Sequence, residues 1–406
     1  MAGQGMGTRQ HLVHWSQRLS FKPEMYRGHY DVPPRLQHTL GYSFYALTLY
    51  HEVLTGKHAN GPQEDIGVPD AVREELNAII HKVAEARKRT VRFQWSWKEF
   101  QDGYDECRYD IDLLLQRFPA PAHDSDSRID YPVSFEDRDG RLLYIYVPSL
   151  LRKTRIKNIF DASCKIFRSD SSLVGNILRR SVEEHSKILP PNPTIQTGCF
   201  QLFPAKGHQR ILPWVQPIPA STTFSDPQLR PIAYDFLDAI DPETAGVLGA
   251  VLALTSPNHL HVVYELFEAL HTGRTDAQDE HLLSDIMLHW PFPFTDVYLS
   301  ANAQQEDSHR SHYRPHTLNL YLSAGLSTAG YLQVDGLQRQ FAFEAGSIAV
   351  GYPGIFLSEL YPGGKDDQVM FVGSYDDVLR RAYTPVLHPL PFNDNEYRDY
   401  ITHMLG

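Results

Sequence analysis

Apolar and polar positions alternate with one period in the first two thirds of the chain and with another in the last third. In PDAVREELNAIIHKVAEARKRT, Val72, Leu76, Ile79, Ile80 and Val83 recur at three- and four-residue spacing, which predicts an amphipathic helix. Asp70 is placed to cap its start, and Lys82, Arg87, Lys88 and Arg89 crowd its end. LGYSFYALTLYHEVL upstream reads as a further helix, followed by the loop GKHANGPQED, and RFQWSWKEFQDGYDECRYDIDLLLQRF continues in helical character. The polar stretch PAPAHDSDSRID reads as a linker or exposed loop. PVSFEDRDGRLLYIYVP then reads as a β-hairpin turning at Asp139-Gly140, with Leu143, Ile145 and Val147 alternating with Tyr144 and Tyr146. SLVGNILRRSVEEHSKIL is expected to form an amphipathic helix, and PETAGVLGAVLALTSP with NHLHVVYELFEALHTG a helical pair packed on each other.

From about Trp290 the period shortens. FTDVYLSAN, TLNLYLSA, GYLQVDG, QRQFAFEAG, SIAVGYP, IFLSELYP and QVMFVGSYDD follow one another with Gly, Pro or Asp turns between them. Short strands at regular spacing predict an antiparallel barrel or jelly roll. The fold class expected is therefore mixed α/β, of the α+β kind: a mostly helical N-terminal part and a jelly roll, or double-stranded β-helix, toward the C-terminus.

Composition narrows the class without naming a function. At 406 residues the chain is long enough for two or three domains or one large elaborated one, and 42% hydrophobic and 12% aromatic content can fill a core. A formal charge of −11 excludes a nucleic-acid footprint over the whole surface but allows a local basic patch. Cys107, Cys164 and Cys199 are odd in number and lack CxxC spacing, so reduced thiols and an intracellular location, nuclear or cytoplasmic, are expected. MAGQGMGTRQHLVHW lacks the apolar region of a signal peptide, and no apolar run is long enough to cross a membrane.

The densest chemistry lies in DSHRSHYRPHTLNLYLS, where His309, His312 and His316 crowd eight residues. A facial site for non-haem iron needs two imidazoles and a carboxylate, with positions left open for oxygen and co-substrate. Alternation puts His309 and Ser311 on one face of a strand and His312 and Arg314 on the other. The plain alternative is a solvated loop, since twenty histidines are spread along the chain.

These residues carry a resemblance. WPFPFTDVYLSAN, the DSHRSHY loop, TLNLYLS, AGYLQV and FAFEAGSIAVGYPGIFLSELYPGGKDDQVMFV, in that order, resemble the double-stranded β-helix of iron(II)/2-oxoglutarate dioxygenases. More narrowly they are similar to the TET/JBP-type group, whose many fungal members are associated with methylated nucleobases. The resemblance covers roughly residues 285–378, with weaker echoes in CFQLFPAKGH. Beside the mostly helical region read over 1–118, it implies an oxygenase-like region over 130–406, with hairpin, helices and the jelly-roll core at about 285–378. It implies iron(II) and 2-oxoglutarate as cofactors if the chain is active, and no cofactor otherwise. Asn302 and His309-Arg310-Ser311 match an asparagine followed by an HRD-like motif, Ala329-Gly330-Tyr331-Leu332 a GGxL-like turn, and Ala345-Gly346 the turn before the distal-histidine strand.

The departures fall on the chemistry. His309 fits the proximal histidine, but Ser311 stands where the aspartate belongs and Ser358, with Glu359 beside it, where the distal histidine belongs. The cation expected to pair with 2-oxoglutarate is Lys365, amid Asp366, Asp367 and Gln368. One ligand of three survives, and a single imidazole holds iron poorly. A shifted set, His309, His312 or His316 with Glu359, is a second arrangement, and His388 with Arg398 a third, in a segment too rich in proline for a central strand. No phosphate loop, GxGxxG, HExxH or GxSxG motif is present, and the cupin pattern lacks its glutamate and its second histidine.

Two basic runs remain. Arg87, Lys88, Arg89 and Arg92 read as a helix end, where cations favour the macrodipole. Arg152, Lys153, Arg155 and Lys157, taken to lie beside a strand, read equally well as a nucleic-acid-contacting face. Two functions stay open: a divergent oxygenase acting on modified nucleobases, or a non-catalytic relative that binds or scaffolds a protein partner.

Overall fold

In a computed structural model the described residues are 33–55, 68–107, 110–121, 128–168, 196–201, 224, 227, 230–271, 280–301, 317–325, 330–356, 358–361 and 368–375. The helices are α1 (Pro34–Thr55), α2 (Asp70–Lys88), α3 (Trp97–Cys107), α4 (Ile111–Arg117), α5 (Lys153–Arg168), α6 (Arg230–Ala239), α7 (Pro242–Thr255), α8 (Pro257–His271) and α9 (Glu280–His289). The strands are β1 (Thr90–Arg92), β2 (Val133–Glu136), β3 (Leu142–Val147), β4 (Gln196–Gln201), β5 (Asp296–Ala301), β6 (Leu318–Gly325), β7 (Tyr331–Val334), β8 (Arg339–Ala342), β9 (Ile348–Gly351), β10 (Ser358–Tyr361) and β11 (Gln368–Tyr375).

The strands form an eight-stranded sheet, β1-β2-β3-β9-β6-β11-β5-β4, and a three-stranded sheet, β10-β7-β8. Among the described strands the β1–β2 pair is parallel and the other pairs are antiparallel. The fold is mixed α/β, and the strand positions expected from Trp290 onward are those observed. The hairpin expected at Asp139-Gly140 is the β2–β3 pair, with Gly140 at φ 78°.

Register sorts the large sheet into two faces, because side chains alternate along each strand. Tyr144 of β3, Gly351 of β9, Asn319 of β6, Ser374 of β11 and Asp296 of β5 stand in one row across it. Tyr146, Ala349, Tyr321, Val372 and Tyr298 form the next row on the same face. This face meets the small sheet: Tyr144 packs on Phe341 and Phe356, and Tyr146 packs on Phe341 and donates its hydroxyl to the Ala342 carbonyl. On the opposite face Phe371 of β11 meets Phe292 and Phe294, in the segment that follows α9.

Helix α7 is apolar on every side, and all its residues from Thr244 to Thr255 are buried. A helix without a polar face must lie inside the protein. It packs on α8, as the sequence pairing predicts, but far more extensively on α1. The reason is steric: Gly246 and Gly249 let α7 close on the Tyr42 ring and the Thr39 methyl, where any Cβ would overlap. Asp70 is likewise no cap; it is the first residue of α2, Pro69 holds the cap position, and no side chain caps that end. The run at Arg152–Lys157 opens helix α5 and does not flank a strand. The helix expected over SLVGNILRRSVEEHSKIL lies outside the described residues.

The N-terminal helical region shares one apolar core with the sheets. It supplies β1 to the edge of the large sheet, and Phe93 and Trp97 stack on Phe356 and Tyr352, which flank the turn between β9 and β10.

Candidate functional site

The head of β10 is where the resemblance places a distal metal ligand. Ser358, the first residue of that strand, is 1% exposed and faces the interior. Its hydroxyl donates to the Phe356 carbonyl at 3.2 Å. Tyr144 lies against it, and burial pushes the phenol far above its usual pKa, against the opposing hydrogen bond with the Ser358 hydroxyl. Alternation turns the next residue, Glu359, to the outer face, where its carboxylate accepts the Tyr361 hydroxyl at 2.7 Å. Ser358 and Glu359 therefore do not converge on one point.

The head of β11 carries the neutral Gln368. It is fully buried, and its amide nitrogen donates to the Ser323 hydroxyl at 2.9 Å and to the Phe343 carbonyl at 3.1 Å. The sequence directs attention to Lys365 as the only cation nearby. No local signal marks Gln368 as inward, because β11 is buried along its whole length and its apolar run does not alternate.

Tyr144 and Asn319 were also missed. They flank Gly351, each as its cross-strand neighbour, and both are buried. The Tyr144 ring leans over Gly351 and occupies the space a Cβ would need. Asn319 donates from its amide to the Tyr321 hydroxyl at 3.1 Å.

His309, His312, His316, Ser311, Asn302, Lys365, His388 and Arg398 lie outside the described residues. Among the described residues no three His, Cys, Asp or Glu side chains converge as a metal site.

The second basic run is placed in full. Arg155 is buried and reaches Glu75 at 3.3 Å, Asp241 at 2.6 Å and Glu243 at 2.6 Å. Burial works against its charge, but the hydrogen bond to Glu243 and the fields of Glu75, Glu243 and Asp241 outweigh it and raise its pKa. Arg152 pairs with Glu74 at 3.4 Å, Lys157 pairs with Asp161 one turn along α5, and Lys153 is exposed. Arg155 thus joins α5 to α2 and to the N-cap of α7, where Asp241 accepts the Glu243 N–H, and it is turned away from any external phosphate.

No family model matches the chain, and no curated protein matches it. Among solved structures it is similar to one described as NgTET1 in complex with 5mC DNA, with 11% identity over 76% of this chain and 92% of that one. The TM-score is 0.40, too loose a superposition to carry residues across. No helix among the described residues is long and apolar enough to cross a membrane.

Proposed function

We propose that this chain is a jelly roll of the iron(II)/2-oxoglutarate oxygenase type that works by binding and not by oxidation. The jelly-roll reading is supported by strand order. From β5 to β11 the chain passes between the two sheets, and β5-β11-β6-β9 lie opposite β10-β7-β8. Such an order is what a double-sheet Greek-key jelly roll would have.

The observation that carries the functional reading is Ser358. At the position the resemblance assigns to a metal-binding imidazole stands a buried hydroxyl bonded to its own strand's approach and covered by Tyr144. Gln368 supports it: its carboxamide is neutral and its nitrogen is committed to Ser323 and Phe343. These residues do not fit iron and 2-oxoglutarate, so no oxidative step is derived through them. Fold alone does not carry the chemistry of its relatives.

With Arg155 committed to three internal carboxylates, the Arg152–Lys157 run gives little support to a nucleic-acid face, and a protein or small-molecule partner fits better. Cys107 and Cys164, buried and in no disulfide, suit a reducing intracellular compartment.

A divergent oxygenase acting on modified nucleobases is the second reading. What favours it is the run His309, His312 and His316 immediately before β6, a strand that faces the interior. Anaerobic calorimetry with iron(II) and 2-oxoglutarate separates the two, with His309→Ala as control. The binding reading expects no micromolar heat signal in either protein; a signal lost in the variant overturns it.

A further inference from the structure

We infer that the outer edge of β1 docks an extended acidic segment of a partner protein, which adds to the large sheet as a further strand. The inference does not depend on the non-oxidative reading, because it uses none of the residues at the head of β10.

Strand β1 is the terminal strand of the eight-stranded sheet and pairs on one side with β2. Phe93 donates its N–H to the Glu136 carbonyl at 2.8 Å, and alternation along the ladder turns Val91 the same way. The N–H and C=O groups of Thr90 and Arg92 therefore point away from the sheet, and among the described residues no backbone group meets them. An open edge of this kind is a template for an added strand.

The cations around the edge select the partner. Lys88 and Arg89 stand just before β1 and Arg92 closes it, all at exposed positions. Arg92 meets the buried Glu136 through Nε at 3.5 Å while its own side chain is 67% exposed, and Arg89 pairs with Glu85 at 3.0 Å. Cations outnumber carboxylates at this seam, on a chain whose formal charge is −11. Such charges keep like edges apart. A second copy of the chain does not fit, since pairing β1 with itself would bring both sets of cations together. The same charges attract an acidic strand, whose main chain fills the open edge. Tyr131 is 44% exposed, with the Arg89 guanidinium 5.2 Å from its ring centroid, and it adds an apolar flank that edge protection does not require. Nucleic acid fits less well. Its affinity scales with the cations free to neutralise phosphates, and Arg89 and Arg92 each already have a carboxylate.

Fluorescence anisotropy on the full chain tests this, with a fluorescein-labelled peptide of alternating Glu and Thr as probe. A Lys–Thr peptide and a fully N-methylated Glu–Thr peptide are the controls, and an unlabelled thymidine oligonucleotide is the competitor. The expected result is saturable binding of the unmodified Glu–Thr peptide alone, undisturbed by the oligonucleotide. That binding should fall severalfold in Lys88→Gln with Arg89→Gln, and again in Arg92→Gln, with melting curves confirming that each variant is folded. The first variant removes no partner of a buried group, so it carries the test if Arg92→Gln, beside Glu136, unfolds. No binding of the Glu–Thr peptide overturns the inference, as does binding unchanged in the folded variants. Equal binding of the N-methylated peptide would leave a charged patch and no added strand. Displacement by the oligonucleotide would overturn the peptide reading in favour of nucleic acid.

Discussion

Substitution of Arg155 by methionine distinguishes a structural cation from a ligand-binding one. The side chain is 11% exposed and Glu75, one of its partners, is 2% exposed. Removing the guanidinium leaves the Glu75 carboxylate buried without its counter-ion, and breaking such a pair costs about 3–5 kcal/mol. Asp241 and Glu243 are 39% and 36% exposed, so water takes over much of what they lose and they add little. The expected cost of Arg155→Met is therefore about 3–5 kcal/mol, set by Glu75. Urea denaturation followed by circular dichroism reads it directly. Adding Glu75→Leu to Arg155→Met should restore most of the loss, because an apolar pair of similar volume replaces a buried ion pair at little cost. Arg152→Ala with Lys153→Ala and Lys157→Ala, all at exposed positions, should cost less than about 1 kcal/mol. A loss below about 1 kcal/mol in Arg155→Met would refute the argument, as would a double variant no better than the single one.

Three further outcomes follow from the packing. Gly249→Ala drives a methyl into the Thr39 side chain and should cost about 1–3 kcal/mol in thermal or urea unfolding. Thr39→Ser, which removes the obstructing methyl and keeps the hydroxyl bonded to the Pro291 carbonyl, should rescue it, and no rescue would locate the strain elsewhere. Tyr144→Phe deletes a buried hydroxyl whose one neighbour is the Ser358 hydroxyl, so its stability should stay within about 1 kcal/mol of the wild type's; a larger loss would mean that the phenol has a stronger partner. Burial pushes the Asp137 carboxyl above its usual range, against the opposing N–H bonds from Trp97 and Arg141. Its folded form holds a proton longer than its unfolded form, so its contribution is full below about pH 3.9 and declines as pH rises through the folded-state value. The stability difference between wild type and Asp137→Asn should therefore shrink with rising pH over that window, and a flat difference would contradict the assignment.

The strand-rich part of the fold was legible because its signal is local. Period-two patterning and Gly, Pro and Asp turns marked every strand from β5 to β11, and Asp139-Gly140 marked the β2–β3 hairpin. Helix α5 was not recognised, because its first turn, Lys153–Ile156, read as a basic run beside a strand while Ile156, Ile159 and Phe160 carried the helical spacing. The partners of Arg155 come from α2 and the start of α7, and no local pattern announces an ion pair across that separation. Ser358 was visible as a departure from the family pattern. Gln368 was hidden behind the more conspicuous Lys365, and β11, apolar from Val369 to Val372 and buried throughout, offers no alternation to mark it. Tyr144 and Asn319 become neighbours of one glycine only through the pairing of β3, β9 and β6, a register that the hydrophobic pattern of each strand alone does not determine.

Anomalous diffraction from crystals soaked anaerobically with manganese(II), a redox-stable stand-in for iron(II), tests the central claim most directly. The account predicts no manganese peak between the head of β10 and the facing row of β6, with Tyr144 and Ser358 filling that space. A manganese ion held there by His309 and a second side chain would contradict it and return the chain to the oxygenases.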